Sequence, residues 1–190
     1  MVEPGEKGKI EMAPQKGEVE VPFWREKIII LVLVGIFVAD QVTKALIVQH
    51  FETPNDSSER QIVIKGFLDL IHRTNDGAAF SILQGKNNIL AVISFIAMGG
   101  LIRFRHHFDN GTRVSKLALG LLMGGILGNL ADRVFRESVV DFVRIYIERG
   151  GGKVSEWPAF NVADAAICAG VGFLFYIAWT EGTEEEEVTT

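Results

Sequence analysis

Two aspartates, Asp141 and Asp164, stand out because each adjoins an apolar segment in which an unpaired carboxylate is costly. Asp141 follows Val139-Val140, and Asp164 lies inside an apolar run. If the fold brings the two carboxylates together, their repulsion keeps one protonated while the other ionises. Such a pair supplies an acid and a base for hydrolysis without a covalent intermediate. Which aspartate is the acid stays open, because a coupled pair titrates as a unit.

Asp164 has an alternative interpretation as the N-cap of a helix, where a carboxylate accepts backbone hydrogen bonds. Asn161 is the better-placed cap in the sequence Asn161-Val-Ala-Asp164. We therefore expect Asp164 to lie within the helix.

Further polar residues follow a face of small residues. Gly120, Gly124 and Gly128 recur every four residues, which lets helix backbones approach closely in a bilayer. The segment then ends with Asn129, Asp132 and Arg133, at a depth where polar groups are expensive unless they are paired or used.

Asp40 and Lys44 lie four residues apart in another apolar segment, so they share one helix face and can pair. A structural ion pair, with the lysine reaching towards the interface, is favoured over a direct chemical role.

Four apolar blocks must position these residues, at about 28–48, 88–104, 117–135 and 158–180. The first has 21 residues, or ~31 Å of helix at ~1.5 Å per residue, which is enough to span a bilayer. The pattern predicts an all-α membrane protein with four transmembrane helices. Residues 23–180 form its domain, between a flexible polar extension (1–22) and an acidic tail (181–190) expected to be disordered.

A polar segment of about 50–87 has strand character. Residues 61–65 and 67–71 are rich in large or β-branched apolar side chains, with Gly66 at a bend between them. Asn75-Asp-Gly77 is typical of a turn. The segment is predicted to be a hairpin-like loop.

Composition excludes several classes of function. The formal net charge of −5 comes partly from the acidic tail, and the basic residues are scattered without a nucleic-acid recognition motif. The single cysteine, Cys168, allows no internal disulfide and has no neighbouring base as a nucleophile. The four histidines show no metal-ligand spacing, so neither a metal nor another cofactor is expected.

Basic residues favour one orientation in the membrane. Arg103, Arg105, Arg113 and Lys116 surround a short loop, and short basic loops stay cytoplasmic. Both termini are then predicted to be cytoplasmic, with 50–87 and 136–157 outside.

Five sequence blocks together resemble the signature blocks of bacterial lipoprotein signal peptidase (signal peptidase II). They are Asp40-Gln-Val-Thr-Lys44, Asn75-Asp-Gly-Ala-Ala-Phe80, Gly124-Gly-Ile-Leu-Gly-Asn-Leu-Ala-Asp-Arg133, Val139-Val-Asp-Phe142 and Phe160-Asn-Val-Ala-Asp164. Single blocks are weak signals, but five in the family order on four spans are specific.

The resemblance implies a membrane aspartyl endopeptidase that cuts prolipoproteins just before a lipid-modified cysteine. The same resemblance implies that Asp141 and Asp164 are catalytic. Asn75, Asn129, Arg133 and Asn161 bind substrate, while Asp40, Lys44, Gly77 and Asp132 support the site. Residues 50–87 would form an extracytoplasmic β-cradle. The implied partners are lipidated prolipoproteins and membrane lipid, and the implied state is a monomer in the bacterial inner membrane, with its active site near the extracytoplasmic face.

Two other classes of function use the same residues differently. A transporter or proton-conducting bundle would use the buried acids as a relay and would show ion flux without peptide cleavage. A membrane scaffold would use them as interhelical contacts and would tolerate Asp→Asn changes.

Overall fold

The computed structural model describes residues 22–56, 58–77, 83–149 and 153–188, so the predicted N-terminal extension lies outside the described residues except for Pro22. The elements in chain order are α1 (Lys27–His50), β1 (Gln61–Ile64), β2 (Leu68–Asn75), α2 (Asn87–Phe104), α3 (Arg113–Phe135), β3 (Val139–Arg149), β4 (Lys153–Glu156) and α4 (Val162–Val188).

Each of the four helices is long and apolar enough to cross a membrane. Helix α3 is central. In its apolar 18-residue stretch 56% is buried, against 17% in the corresponding stretches of α1 and α4 and 6% in that of α2. The outer helices instead expose large apolar side chains such as Leu31, Phe95 and Phe175, which suits contact with lipid. The predicted four-helix membrane fold is therefore confirmed.

Three helix ends differ from the sequence prediction by four residues or more. Helix α3 begins earlier, at Arg113, because the Thr112 side chain caps it by accepting a hydrogen bond from the Ser115 backbone. Helix α4 begins at Val162 and not at Pro158, because the chain before it pairs with β3 through Phe160 and Val143. It then continues to Val188 through the tail that was expected to be disordered. Glutamate is a good helix former, and extending a helix needs no new nucleus.

The strands form one antiparallel sheet in the order β1-β2-β3-β4. The predicted hairpin is present, with Gly66 at positive φ between its strands, but it supplies only half of the sheet. Strand β2 also extends to Asn75, beyond the predicted end at Ile71, because the distant strand β3 pairs with it. The assignment of the β-cradle to 50–87 alone was therefore incomplete.

A small apolar cluster fixes this sheet to the helices. Ile47 and Phe51, at the end of α1, pack against Val140 and Phe142 of β3. These two β3 residues flank Asp141, so the packing sets the depth at which its carboxylate lies.

Glycines allow α3 to approach two neighbouring helices closely. A Cβ atom at Gly124 would lie 2.9 Å from the Leu33 carbonyl oxygen of α1, and one at Gly125 would lie 2.5 Å from the Ala163 carbonyl oxygen of α4. The close approach predicted for the Gly120, Gly124 and Gly128 face is confirmed, and Gly125 adds a second contact face towards α4.

The contact at Gly125 yields a stability prediction. Gly125→Ala places its methyl group against the backbone next to Asp164, so α3 and α4 must separate at a cost of about 1–3 kcal/mol. We expect a lower melting temperature in detergent. The matched control is Gly172→Ala in α4, where a Cβ meets nothing within 4 Å and alanine favours the helix. Equal melting temperatures for the two variants would contradict this account.

Candidate active site

Asp141 reaches the site from the third position of β3, opposite Arg73 in the β2 ladder. It is almost fully buried, with 4% of its surface exposed. The Asn75 side-chain amide donates to Asp141 Oδ2 at 3.0 Å, and the Asn161 amide donates to Oδ1 at 2.9 Å. Both oxygens of this carboxylate are therefore held in place by neutral donors.

Asp164 lies in the first turn of α4, where Asn161 is the N-cap, as predicted from the sequence. Asn161 Oδ1 accepts the Asp164 backbone N–H at 2.9 Å, and Asp164 Oδ2 accepts the Asn161 backbone N–H at 3.2 Å. This reciprocal pair is a capping box. It turns the second carboxylate back towards the start of the helix.

Two asparagines connect the carboxylates. The Asn129 amide donates to Asp164 Oδ1 at 2.7 Å, and its own oxygen accepts from the fully buried Asn161 amide at 3.2 Å. Since Asn161 also donates to Asp141, a continuous hydrogen-bonded path runs from one acid to the other. The fold thus joins two aspartates that are 23 residues apart in the sequence.

A buried ion cluster lies beneath these asparagines. The Lys44 ammonium contacts both Asp40 and Asp132 at 2.8 Å, and all three side chains are completely buried. The expected pairing of Asp40 with Lys44 is present, but the lysine does not reach towards the interface as predicted. Its ammonium turns inward and also donates to Asn129 Oδ1 at 3.0 Å.

The two carboxylates of this cluster hold the backbones that carry the acids. Asp40 Oδ1 accepts the Ala163 backbone N–H at 2.9 Å, next to Asp164. Asp132 Oδ2 accepts the Val140 backbone N–H at 3.2 Å, next to Asp141. The backbone N–H of the residue before each acid is therefore held by a carboxylate from a different element, either α1 or α3.

Arg133 and Gly77 meet on another side of the site. Arg133 donates to the Gly77 carbonyl and to the Asn129 carbonyl, both at 3.3 Å, while its buried Nε has no hydrogen-bond partner among the described residues. Gly77 closes a turn in which its N–H donates to Asn75 Oδ1 at 3.0 Å. The predicted turn thus links Arg133 to the asparagine that holds Asp141.

Sequence reasoning missed two members of the buried cluster. Gln41 donates to Asp40, Asp132 and the Gly128 carbonyl, each at 3.2 Å, and Arg136 pairs with Asp132. Gln41 falls within a signature block, but the i,i+4 rule applied to that block points only to Lys44. Arg136 also lies four residues after Asp132, so the same rule could have found it.

An open cleft of about 840 Å³ exposes the two acids to their surroundings. One wall comes from β2 and the turn after it, including Arg73 and Asn75. The opposite wall runs from Glu156 to Phe160 and continues along α4 past Asp164 to Cys168. The cleft is large enough for an extended peptide with water at the carboxylates.

Electrostatics favour a shared proton. Burial, together with the negative charge of Asp164, raises the pKa of Asp141 to about 7. Hydrogen bonds from Asn75 and Asn161 and the charge of Lys44 act in the opposite direction but are weaker. At neutral pH, Asp141 is therefore poised between its acid and base forms, which is the condition for general acid–base chemistry.

The fold and this site define a class of protein: a four-helix membrane protein with paired carboxylates in a cleft beside a small sheet. Comparison with known proteins gives the family. Residues 32–180 match the family model described as signal peptidase (SPase) II.

Two lipoprotein signal peptidases illustrate the similarity. The one from Anoxybacillus flavithermus is 36% identical over 159 residues, which cover 83% of this chain and 89% of the relative. The one from Halalkalibacterium halodurans is 39% identical over 145 residues, covering 76% and 87%. A solved bacterial membrane enzyme superimposes with a TM-score of 0.70 at 32% identity, covering 84% of this chain and 91% of that one. The chain belongs to the signal peptidase II family, whose members are proteases that remove signal peptides from prolipoproteins.

The raised pKa of Asp141 predicts a pH-dependent stability. In the unfolded chain this carboxyl ionises near its usual value of 3.8, whereas the folded protein keeps its proton up to about pH 7. The folded state thus binds more protons in this window, so stability should fall as pH rises from about 4 to 7. Asp141→Asn removes that loss, and its melting temperature should exceed that of the wild type by a few degrees at pH 8 but by less at pH 5.

Thermal unfolding in detergent at both pH values tests this expectation. Asp56→Asn is the control, since this exposed carboxyl has a lowered pKa, caused first by a hydrogen bond from the Ser58 backbone. A melting-temperature difference between Asp141→Asn and wild type that is the same at pH 5 and pH 8 would argue against a raised pKa.

Proposed function

We propose that this protein is an aspartyl endopeptidase that removes signal peptides from prolipoproteins by cutting just before the diacylglyceryl-modified cysteine. The main support is the hydrogen-bonded path from Asp141 through Asn161 and Asn129 to Asp164, which faces an open cleft. Membership of the signal peptidase II family gives the substrate class.

The proposed chemistry uses one water molecule held between the carboxyl groups. The ionised aspartate takes a proton from this water as it attacks the scissile carbonyl. The protonated aspartate donates a hydrogen bond to the carbonyl oxygen and stabilises the developing negative charge. Because the two acids share one proton, we treat them as a unit and assign neither role to one residue.

The polar residues around the acids have separate roles: the asparagines orient the carboxylates, and Arg133 binds the substrate. Asn75, Asn129 and Asn161 each donate to a carboxylate of the pair, so each fixes the direction of that carboxylate's lone pairs. Arg133 lines the cleft, and its Nε has no hydrogen-bond partner within the described part of the chain, so it is the cation that we assign to the substrate backbone. We assign a supporting role to Asp40, Lys44, Asp132 and Gly77.

Lipid is part of the proposed recognition. The cleft continues along α4 past Ala165, Ile167 and Cys168, so the part of the cleft beyond Asp164 is apolar and lies along a membrane-spanning helix. With the diacylglyceryl group held in lipid, the peptide needs to search fewer positions to reach the acids, which is an entropic contribution to the rate. We place the protein in the bacterial inner membrane as a monomer, with both termini in the cytoplasm and the acids near the outer face.

The dyad predicts strong non-additivity. If Asp141 and Asp164 share one water, Asp141→Asn or Asp164→Asn alone should lower single-turnover cleavage of a lipidated precursor by roughly 10⁴-fold or more, and the double variant should lose little beyond that. All three should still fold, because asparagine matches the volume of aspartate and can keep hydrogen bonds.

The two alternative functions, a proton-conducting bundle and a membrane scaffold, predict different results for the same variants. Near-wild-type cleavage by either single variant would remove that residue from the pair, and losses that multiply in the double variant would place the acids in separate sites. Asp109→Asn is a matched control, because this acid lies in the loop between α2 and α3, where it pairs with Lys116. It should leave the rate of cleavage nearly unchanged.

The orientation predicts where thiol reagents can reach. In a Cys168→Ala background, a cysteine at Ser58 should react with an impermeant maleimide in intact cells, and a cysteine at Asn110 should react only after permeabilisation. Both positions are exposed, so accessibility follows the side of the membrane. Labelling at Asn110 together with protection at Ser58 would reverse the orientation.

A further inference from the structure

A chain of ion pairs crosses the mouth of the cleft, outside the acid pair and its supporting cluster. Arg73 Nη2 on β2 contacts Glu156 Oε1 on β4 at 3.2 Å. The other carboxylate oxygen of Glu156 accepts from Arg144 Nε at 2.8 Å and Nη2 at 2.7 Å, so Arg144 binds it through two nitrogens. Glu156 thus joins three neighbouring strands of the sheet.

Arg144 is itself fixed from behind. Its guanidinium lies 4.6 Å from the Tyr146 ring centroid, and its Nη1 is 3.4 Å from the fully buried Asp69 carboxylate. Asp69 also accepts from the Tyr146 hydroxyl at 3.3 Å. Arg144 is therefore a rigid anchor for Glu156, whereas Arg73 is 42% exposed and contacts Glu156 from the open side.

The Arg73–Glu156 pair lies close to the place where the peptide must be cut. Arg73 is the direct ladder partner of Asp141, and side chains opposite each other in antiparallel strands have Cβ atoms about 4.5–5.5 Å apart. Glu156 begins the wall that runs through Trp157 to Phe160 and continues to Asp164 on α4. Both charged residues line the cleft. An extended peptide advances only ~3.3 Å per residue, so a side chain one or two positions from the scissile bond reaches the pair.

Pairing makes this part of the cleft mouth electrically neutral. Burial opposes the ionisation of Glu156, but hydrogen bonds from Arg144 and Arg73 lower the pKa of Glu156 below its usual value, so it stays charged at neutral pH. A charged substrate side chain would meet one like charge and would have to compete for the opposite one. An uncharged side chain leaves the pair intact.

We propose that Arg73 and Glu156 are specificity-determining residues that form a charge-balanced subsite beside the scissile bond and favour precursors with uncharged side chains there. The inference rests on the proposed function, because it assumes that the cleft receives the peptide next to Asp141. Removing Arg73 takes away the cation on the open side of Glu156, which Arg144 still holds from behind, and removing Glu156 leaves Arg73 without its anion. The two removals should therefore shift the preference in opposite directions.

The test measures binding separately from cleavage. Synthetic diacylated lipopeptides carry Gln, Asp or Arg at one position, either two residues before or one residue after the lipidated cysteine. Their affinities are measured by fluorescence anisotropy in detergent micelles for Asp141→Asn protein, alone or combined with Arg73→Gln or Glu156→Gln. Cleavage of the Gln peptide by the wild type is followed in parallel, so a failure of the proposed function shows up separately, as absent cleavage.

For at least one of the two varied peptide positions, we expect Arg73→Gln and Glu156→Gln to give opposite charge preferences. To the Asp141→Asn protein without a second substitution, the Gln peptide should bind about 3-fold more tightly than either charged peptide. Arg73→Gln should make the Arg peptide bind roughly 3–5-fold more tightly than the Asp peptide, and Glu156→Gln should give the opposite order. Arg73→Lys should keep the original ranking, because it keeps the charge.

Arg60→Gln is the matched control. Arg60 is also a half-exposed arginine, 3.8 Å from Asp69, but it lines only a small cavity of about 200 Å³ on the other side of Arg73 and does not line the cleft. Its loss should leave the peptide ranking unchanged. The proposal is overturned if neither variant changes the ranking, if both weaken all peptides equally, if Arg60→Gln shifts the ranking as Arg73→Gln does, or if no lipopeptide binds.

Discussion

The structure depends on one buried interaction, the contact of the Lys44 ammonium with the carboxylates of Asp40 and Asp132. Three charges without solvent exposure are expensive, and such a cluster persists only when its remaining hydrogen-bonding capacity is used. Arg136 supplies a second cation to Asp132, so the cluster has two positive and two negative groups. Deleting the lysine alone would leave two buried carboxylates facing each other, a type of change that typically costs ~3–5 kcal/mol.

The cluster also stabilises the neighbouring elements, because each of its carboxylates accepts a backbone N–H group as well as binding the ammonium. Asp40 holds the N–H of Ala163 at the start of α4, and Asp132 holds the N–H of Val140 in β3. The ammonium also holds the Asn129 oxygen that completes the path between the acids. One lysine on α1 thus sets the relative position of three elements that carry the site, and the glycines of α3 let those elements come close enough to be bound.

The sequence predicts those features that local rules control. Helical spacing pairs Asp40 with Lys44, the Asn161-to-Asp164 spacing gives the capping box, and apolar length gives the four helices. It does not predict that β2 extends to Asn75, because β3 lies more than 60 residues further along the chain. Nor does it predict that Lys44 turns inward, since Asp132 and Asn129 accept from it across a helix interface that no local pattern describes. The resemblance to signal peptidase II named the acids in advance, but the physical path between them needed the fold.

The neutrality of the Lys44 cluster also bears on the chemistry. An unbalanced ammonium near Asp141 would hold that carboxyl ionised, and a pair of ionised acids has no proton to give to a substrate carbonyl. In this structure the charge of Lys44 lowers the pKa of Asp141 less than burial and Asp164 raise it, and the result lies near 7. Asp40 and Asp132 lie 2.8 Å from the ammonium, so their negative charges oppose its effect on the acids, from which Asn129 separates it. The carboxylates that hold the backbones thus also help the Asp141–Asp164 pair to keep one proton at neutral pH.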